Sequence, residues 1–356
     1  FANMKKKYLI LSVFAIVFSA CETDFDVNAD WEETTVVFGL LDASKDIQFI
    51  KINKAFLGEA DAYNMASISD SFNYNPEDII VTLHKLTSSG DTIFLGNWPK
   101  NFRDTIINKA ILIVNGDSIE PIFATDNNII YYLKTPDGLT AYQSFNNPFS
   151  YVLTVENIKS GNIISSSTSL IGDFEFDDFT GLTGSIGNPG GPVLFPFYNF
   201  VNGENVGIKQ FYWEDYSDDQ AFNYQFCLKF NYNEDGGDTL SLLWQKPLLD
   251  KTVSNLAITG NGFFNFLENN LKDNGSERKF LSIEIEMTVG SQDLDTYRLI
   301  NEEITGIVQQ RPLFTNINNG IGLFSSRNSI LISDLGLNLT TLDYLKSSDG
   351  LDRNFQ

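Results

Sequence analysis

Histidine is almost missing from this chain, with one residue, His84, in 356. Cysteine is nearly as scarce, at Cys21 and Cys227. These two shortages exclude a His-rich zinc site, a Cys cage and any His-based triad not centred on His84. His84 sits in an alternating apolar run, Ile79 to His84, and reads as a structural or surface residue. Positive charge is short too: 24 Lys+Arg face 46 Asp+Glu, for a net charge of −22. Nucleic acid is thereby excluded as a partner, because phosphate neutralisation needs clustered Lys and Arg. Beyond the N-terminal segment no apolar run approaches the length of a membrane-spanning helix. The glycine-rich stretch 181–207 lacks the GK[ST] ending of a P-loop, and Gly181-Leu182-Thr183-Gly184 is no nucleophile elbow.

Apolar material is plentiful. Hydrophobic residues make up 42% and aromatics 13%, with 30 Phe, enough for a sizeable core and weighted toward strands. Short β-branched and apolar runs are separated by Gly, Asn and Asp turns, at Thr34–Leu41, Ile47–Ala55, Ala110–Val114, Ile129–Leu133, Tyr151–Glu156 and Ile163–Leu170. That cadence predicts a mainly β protein. An N-terminal immunoglobulin-like β-sandwich over 33–170 is followed by a second β-rich unit with few helices over 173–345, and 346–356 form a C-terminal tail. Residues 181–207 read as an inter-domain connection or a long ordered loop. The cleanest strand puts Phe222, Tyr224, Phe226, Leu228, Phe230 and Tyr232 on one face, with Cys227 opposite. Helices are expected at Leu57–Ser67, at Phe263–Leu271, and at Leu294–Ile304 with Ser291 or Asp293 near its cap.

The N-terminus carries an address. Phe1-Ala2-Asn3 read as an upstream extension before Met4, Lys5-Lys6-Lys7 as a positive n-region, and Tyr8 to Phe18 as an apolar h-region. Residues 1–20 therefore read as a secretory signal peptide. Phe18-Ser19-Ala20-Cys21 resembles a bacterial lipobox, which makes Cys21 the expected lipidation site and membrane lipid the first expected partner. Several acyl chains, at about 0.8 kcal/mol per buried CH₂, hold far more firmly than one. Residues 21–32 then form a tether whose Glu22-Thr23-Asp24-Phe25-Asp26 resembles the acidic export signal of Bacteroidota surface lipoproteins. Cys227 is left without an internal disulfide partner.

Four constellations invite a chemical reading. Asn231, Asn233 and Asp235, followed by Gly236, mimic a calcium loop, but Leu242 stands where a bidentate acid belongs, so a hairpin turn is the better reading. Asp173, Glu175, Asp177 and Asp178 alternate with Phe174, Phe176 and Phe179, which describes a solvated face rather than two carboxylates flanking a sugar. Trp98, Trp213 and Trp244 could stack on sugars, although aromatic density more often packs a core. No cofactor motif is present, and no catalytic residues are assigned.

Several segments together resemble a Bacteroidota outer-membrane lipoprotein family, domain of unknown function 4249. They are the lipobox cysteine followed by Val36-Val37-Phe38-Gly39-Leu40-Leu41; Tyr151–Val155 with Gly161 and Ser167-Thr168; Ile258–Leu267; and, most specific, Phe314–Phe324, with its Asn316-Ile317-Asn318-Asn319-Gly320-Ile321-Gly322-Leu323-Phe324 ending. The last also reads as a glycine turn entering a core strand. The resemblance implies an outer-membrane lipoprotein facing the exterior, without established activity, whose relatives often accompany TonB-dependent receptors. The expectation is a non-catalytic binding or accessory protein. The competing expectation is a surface glycan-binding or glycan-active protein.

Overall fold

The computed structural model describes residues 34–55, 62–93, 98–107, 112–114, 117–119, 124, 128–144, 147–176, 194–202, 204–215, 220–302, 312–347 and 350–356. In chain order the main elements are β1 (Thr35–Asp42), β2 (Ile47–Lys54), α1 (Ala62–Ala66), α2 (Ser69–Phe72), β3 (Ile79–Leu86), β4 (Arg103–Ile106) and β5 (Ile129–Lys134). There follow β6 (Ser150–Asn157), β7 (Asn162–Ser169), β8 (Phe174–Phe176), β9 (Ile208–Asp215), β10 (Asn223–Glu234), β11 (Thr239–Gln245) and β12 (Asn255–Thr259). The chain closes with α3 (Gly260–Asn270), β13 (Arg278–Gly290), α4 (Gln292–Asn301), β14 (Gly320–Leu337) and α5 (Leu339–Lys346). The protein is mainly β.

One large sheet runs β11-β10-β13-β14-β1-β2-β5-β4. Along this path only the β1–β14 pairing is parallel, in the register Thr35↔Gly320 to Asp42↔Arg327. The same face of this sheet bears two apolar cores. Under the first half, Val37, Leu41, Ile50, Ile52, Tyr131 and Leu133 pack against Ile79, Val81, Leu83, Tyr151, Leu153, Val155 and Ile164. The latter residues belong to a second sheet, β7-β6-β3 plus the short strand Lys100–Asn101, so this half is a sandwich. Under the second half, Phe226, Leu228, Phe230, Ile283, Ile285, Met287 and Val289 face Phe211, Trp213, Ile258, Phe263 and Leu267. These come from a third sheet, β8-β9-β12, and from α3.

Leu170 belongs to one core and Ile171 to the other. The backbone corrects the picture of two successive units. Thr34–Gln356 form one compact unit, because β14 reaches back to β1, supplying Phe324 to the first core and Leu335 and Leu337 to the second.

In β10, Tyr224, Phe226, Leu228, Phe230 and Tyr232 are buried, each worth about 1.5–3 kcal/mol, and Cys227 lies on the other face. Phe222 departs from this pattern. It precedes the strand, is half-buried, and holds the Lys251 ammonium 4.4 Å from its ring. Helix α3 starts three residues before Phe263, because Thr259 caps it by accepting from Gly262 N–H at 3.2 Å. In place of one helix over 57–67 stand α1 and α2, with 56–61 outside the described residues. Helix α4 follows Ser291 as expected; residues 303–304 lie outside the described ones. Helix α5, capped by Asn338, has no counterpart among the expected helices.

The expected tail is also corrected. Leu351 and Phe355 are buried, and the Phe355 ring sits 6.0 Å from that of Phe230. Of the glycine-rich stretch, 181–193 and 203 lie outside the described residues, whereas Phe195 and Phe197 are core residues.

Candidate functional site: a groove on the outer face of the sheet

Strand β1 is apolar on both faces. Val37 and Leu41 point into the first core, so Phe38 and Leu40 point outward, where a one-sided sheet would carry polar residues. Strand β2 repeats the pattern, with Ile47 and Phe49 outward of Ile50 and Ile52. Helix α4 covers part of this outer surface. None of its residues is fully buried, so it roofs the sheet without sealing it.

A groove of about 790 Å³ remains between them. Phe38, Ile47, Phe49 and Leu323 form its floor, and Leu294 and Tyr297 of α4 its wall. The Phe38 and Tyr297 rings meet edge to face at 5.9 Å. Phe38 and Phe49 stay 41% and 46% exposed, an uncommon position for two phenylalanines on neighbouring strands. A volume of this size is in the range that takes a small organic ligand.

Polar bonds fix the roof. Asp295 of α4 accepts from Asn223 Nδ2 at 2.9 Å and from Arg298 Nη2 at 3.0 Å; Asp293 accepts from Asn316 Nδ2 at 2.8 Å. At the groove's polar end Asp42 is almost fully buried. Its carboxylate accepts from Arg327 Nε at 3.0 Å and from the Ser44 hydroxyl at 2.6 Å. Gln48, 1% exposed, closes the same turn: it accepts from Asp42 N–H at 2.8 Å and donates to the Asp42 and Lys45 carbonyls. Both groups are committed to holding the β1–β2 turn.

A second hollow, of about 520 Å³, opens where the chain crosses from the second sheet to the main one around Phe102. Lys100, Arg103, Tyr132 and Lys134 line it. Close by, Lys85 lies on the inward face of β3 with its ammonium 3.8 Å from the centre of the Phe149 ring. Burial, then the charge of Lys100, hold Lys85 below the usual lysine range. Lys100 in turn lies 5.2 Å over Trp98.

The residues singled out in the sequence are placed elsewhere. Asn231 is a buried mid-strand residue whose amide donates to Ser282 and Glu284 and accepts from Ser241, so it is no calcium ligand. Asp235 and Gly236, at φ 50° and 71°, form the hairpin turn instead, and Asp235 accepts from Glu277 N–H at 2.9 Å. Asn233 remains in the strand beside it. In the acidic run Phe174 and Phe176 are buried while Asp173 and Glu175 are exposed; 177–179 lie outside the described residues. Trp213 is core. Trp244 is stacked on Phe266 at 4.9 Å and approached by Lys246 at 3.8 Å. Trp98 lies between Tyr151 and Lys100. His84 alternates with Leu83 and Lys85 on the outer face of β3, opposite Val152. Cys21 lies outside the described residues.

The Asn316–Phe324 segment is a structural device. Phe324 and Ile317 enter the first core, and Gly322, at φ +120°, sits where a Cβ would come 2.0 Å from the Val37 carbonyl oxygen. No family model and no curated protein matches the chain.

The groove was missed in the sequence. Its signal was the apolar outward set Phe38, Leu40, Ile47 and Phe49, legible as two-faced strands but without a hint of what covers them.

Proposed function

We propose that this protein is an outer-membrane lipoprotein, anchored through acylated Cys21 and facing the cell exterior, that binds a small apolar ligand in the groove under α4. The observation that carries the binding reading is the 790 Å³ apolar groove with two half-exposed phenylalanines in its floor. The signal segment, lipobox and acidic tether support the address, and the four resembling segments support membership of the family of domain of unknown function 4249. The role is non-catalytic, as an accessory beside a TonB-dependent receptor. Of the groove's two carboxylates, Asp42 is held by Arg327 and Ser44 in the β1–β2 turn. The glycan-binding alternative is weakened at its proposed platforms, since Trp213 is core and Trp98 and Trp244 are engaged by neighbouring side chains.

The binding test is titration with Nile red, an uncharged apolar dye. Wild-type protein should enhance its emission, and Phe49→Asp with Tyr297→Ala should abolish the enhancement while the circular dichroism spectrum is retained. No enhancement by the wild type would reject the groove as a ligand seat. The address is tested by alkyne-palmitate labelling in the native cell, where Cys21→Ala or globomycin should block maturation.

A further inference from the structure

The groove and the cationic hollow are neighbours along one face of the main sheet. Register places Leu40 opposite Phe49, Phe49 opposite Tyr132 and Tyr132 opposite Arg103, across β1, β2, β5 and β4. One step along, Ile47 stands opposite Lys134. Directly opposed side chains leave the same face of a sheet with Cβ atoms about 4.5–5.5 Å apart. An apolar lane therefore passes without a break into a cationic edge.

That edge is anomalous for this chain. With 46 acidic side chains against 24 basic ones, an exposed cation has an excess of carboxylates to pair with. Among the described residues the ion pairs engage Lys229, Arg278, Arg298, Arg327 and Arg353, and none engages Lys100, Arg103 or Lys134. The joint lining holds two carboxylates, Asp42 and Asp46, against five cations, the other two being Lys45 and Arg327. Asp42 is already neutralised by Arg327. Asp104 belongs to the alternate face from Arg103, near Tyr131, whose phenol it raises further after burial. Lys85, in no ion pair among the described residues, adds its charge from behind. Like charges held together without a counter-charge are destabilising, and a bound anion relieves them.

We infer that the ligand of the groove is a single-chain amphiphile, its alkyl body lying on Phe38, Phe49 and Tyr297 and its terminal oxyanion, a phosphate or carboxylate, held by Arg103 and Lys134 with Lys100. This rests on the groove being a ligand seat. An arginine matches two oxygens of such a group at once, and the lysines add point charge.

The test is calorimetric titration with dodecyl phosphate, laurate, dodecanol and inorganic phosphate, each below its micelle concentration. Dodecyl phosphate and laurate should bind at least tenfold tighter than dodecanol. The exposed double variant Arg103→Gln with Lys134→Gln should remove that difference, leave dodecanol unchanged and abolish the salt dependence. Equal binding of dodecanol and dodecyl phosphate, or no effect of the double variant, overturns the anion assignment while the groove stands. Silence of every alkyl compound defeats the groove itself. Inorganic phosphate binding as tightly as dodecyl phosphate, or sedimentation with phosphatidylglycerol vesicles without binding of the monomeric compounds, overturns the amphiphile.

Discussion

The side-chain amide of Asn316 closes both backbone hydrogen bonds of Phe324: its Oδ1 accepts from Phe324 N–H at 2.9 Å and its Nδ2 donates to the Phe324 carbonyl at 2.7 Å. At this point β14 has β1 on one side, while β13 begins pairing only at Arg327. The amide thus stands in for a missing strand. Removing it in Asn316→Ala leaves an N–H and a carbonyl unsatisfied beside a fully buried ring, at about 1–3 kcal/mol for each group. Asn316→Asp should be no better at neutral pH, since it loses the donor and sets a carboxylate against Asp293. Urea unfolding of both variants is the measurement. A change below half a kcal/mol in Asn316→Ala would show that water replaces the amide.

Two glycines with positive φ should respond differently to the same substitution. Gly322→Ala brings Cβ to 2.0 Å from the Val37 carbonyl oxygen in the only parallel pairing of the main path, and should cost well over 3 kcal/mol or prevent folding. Gly236→Ala, at φ +71° with nothing within 4 Å, carries only the left-handed backbone cost, about 1–2 kcal/mol. Thermal unfolding of the pair separates close approach from backbone strain, and equal losses would refute the distinction.

Arg278 is 1% exposed and ties residues 353–356 to the second core. It pairs with Glu234 at 2.7 Å and donates to the Arg353 carbonyl at 2.8 Å, while its own backbone bonds Asn354 and Gln356. Arg278→Ala should cost about 3 kcal/mol, at the low end for a broken buried pair because Glu234 is partly hydrated. Arg278→Lys should recover little, for one ammonium cannot replace the fork. Urea unfolding of both variants is the check, and stability equal to that of the wild type would mean that Phe355 packing alone holds residues 351–356.

Cys227 should be a slow thiol. Burial and then the charge of Glu286 push it up, with Lys229 partly offsetting. Thiolate is the reacting form, so a raised pKa means less of it at any pH below that value. In Cys21→Ala protein, iodoacetamide at about pH 8 should label Cys227 more slowly than free cysteine, and the rate should keep climbing with pH after free cysteine has levelled off. A plateau at or below that of free cysteine would contradict the assignment.

What could be read from the sequence was what depends on neighbours in the chain. Tyr224 to Tyr232 alternate because a strand has period two, and Gly161 and Gly236 mark hairpins because their turns need positive φ. Phe222 failed because alternation says nothing of where a strand begins. Phe355 reads as tail because a lone apolar residue gives no local sign of a distant pocket. The groove was hidden for the same reason: it needs Phe38, Phe49 and Tyr297 to meet, and they are brought together by pairings and a helix placed far apart in the chain.

The position of β14 also sets a timetable. Strand β1 has two neighbours in the sheet: β2, which follows it at once, and β14, the last long strand among the described residues. Asp42 and Arg327, joined across that seam, are 285 residues apart in sequence. A chain emerging N-terminus first therefore carries a bare edge on β1 from the time β1 appears until β14 has followed it. Such an edge is a template for pairing with another chain, and closing it requires the slow search that long-range strand pairing imposes. The half of the molecule made first is the half finished last.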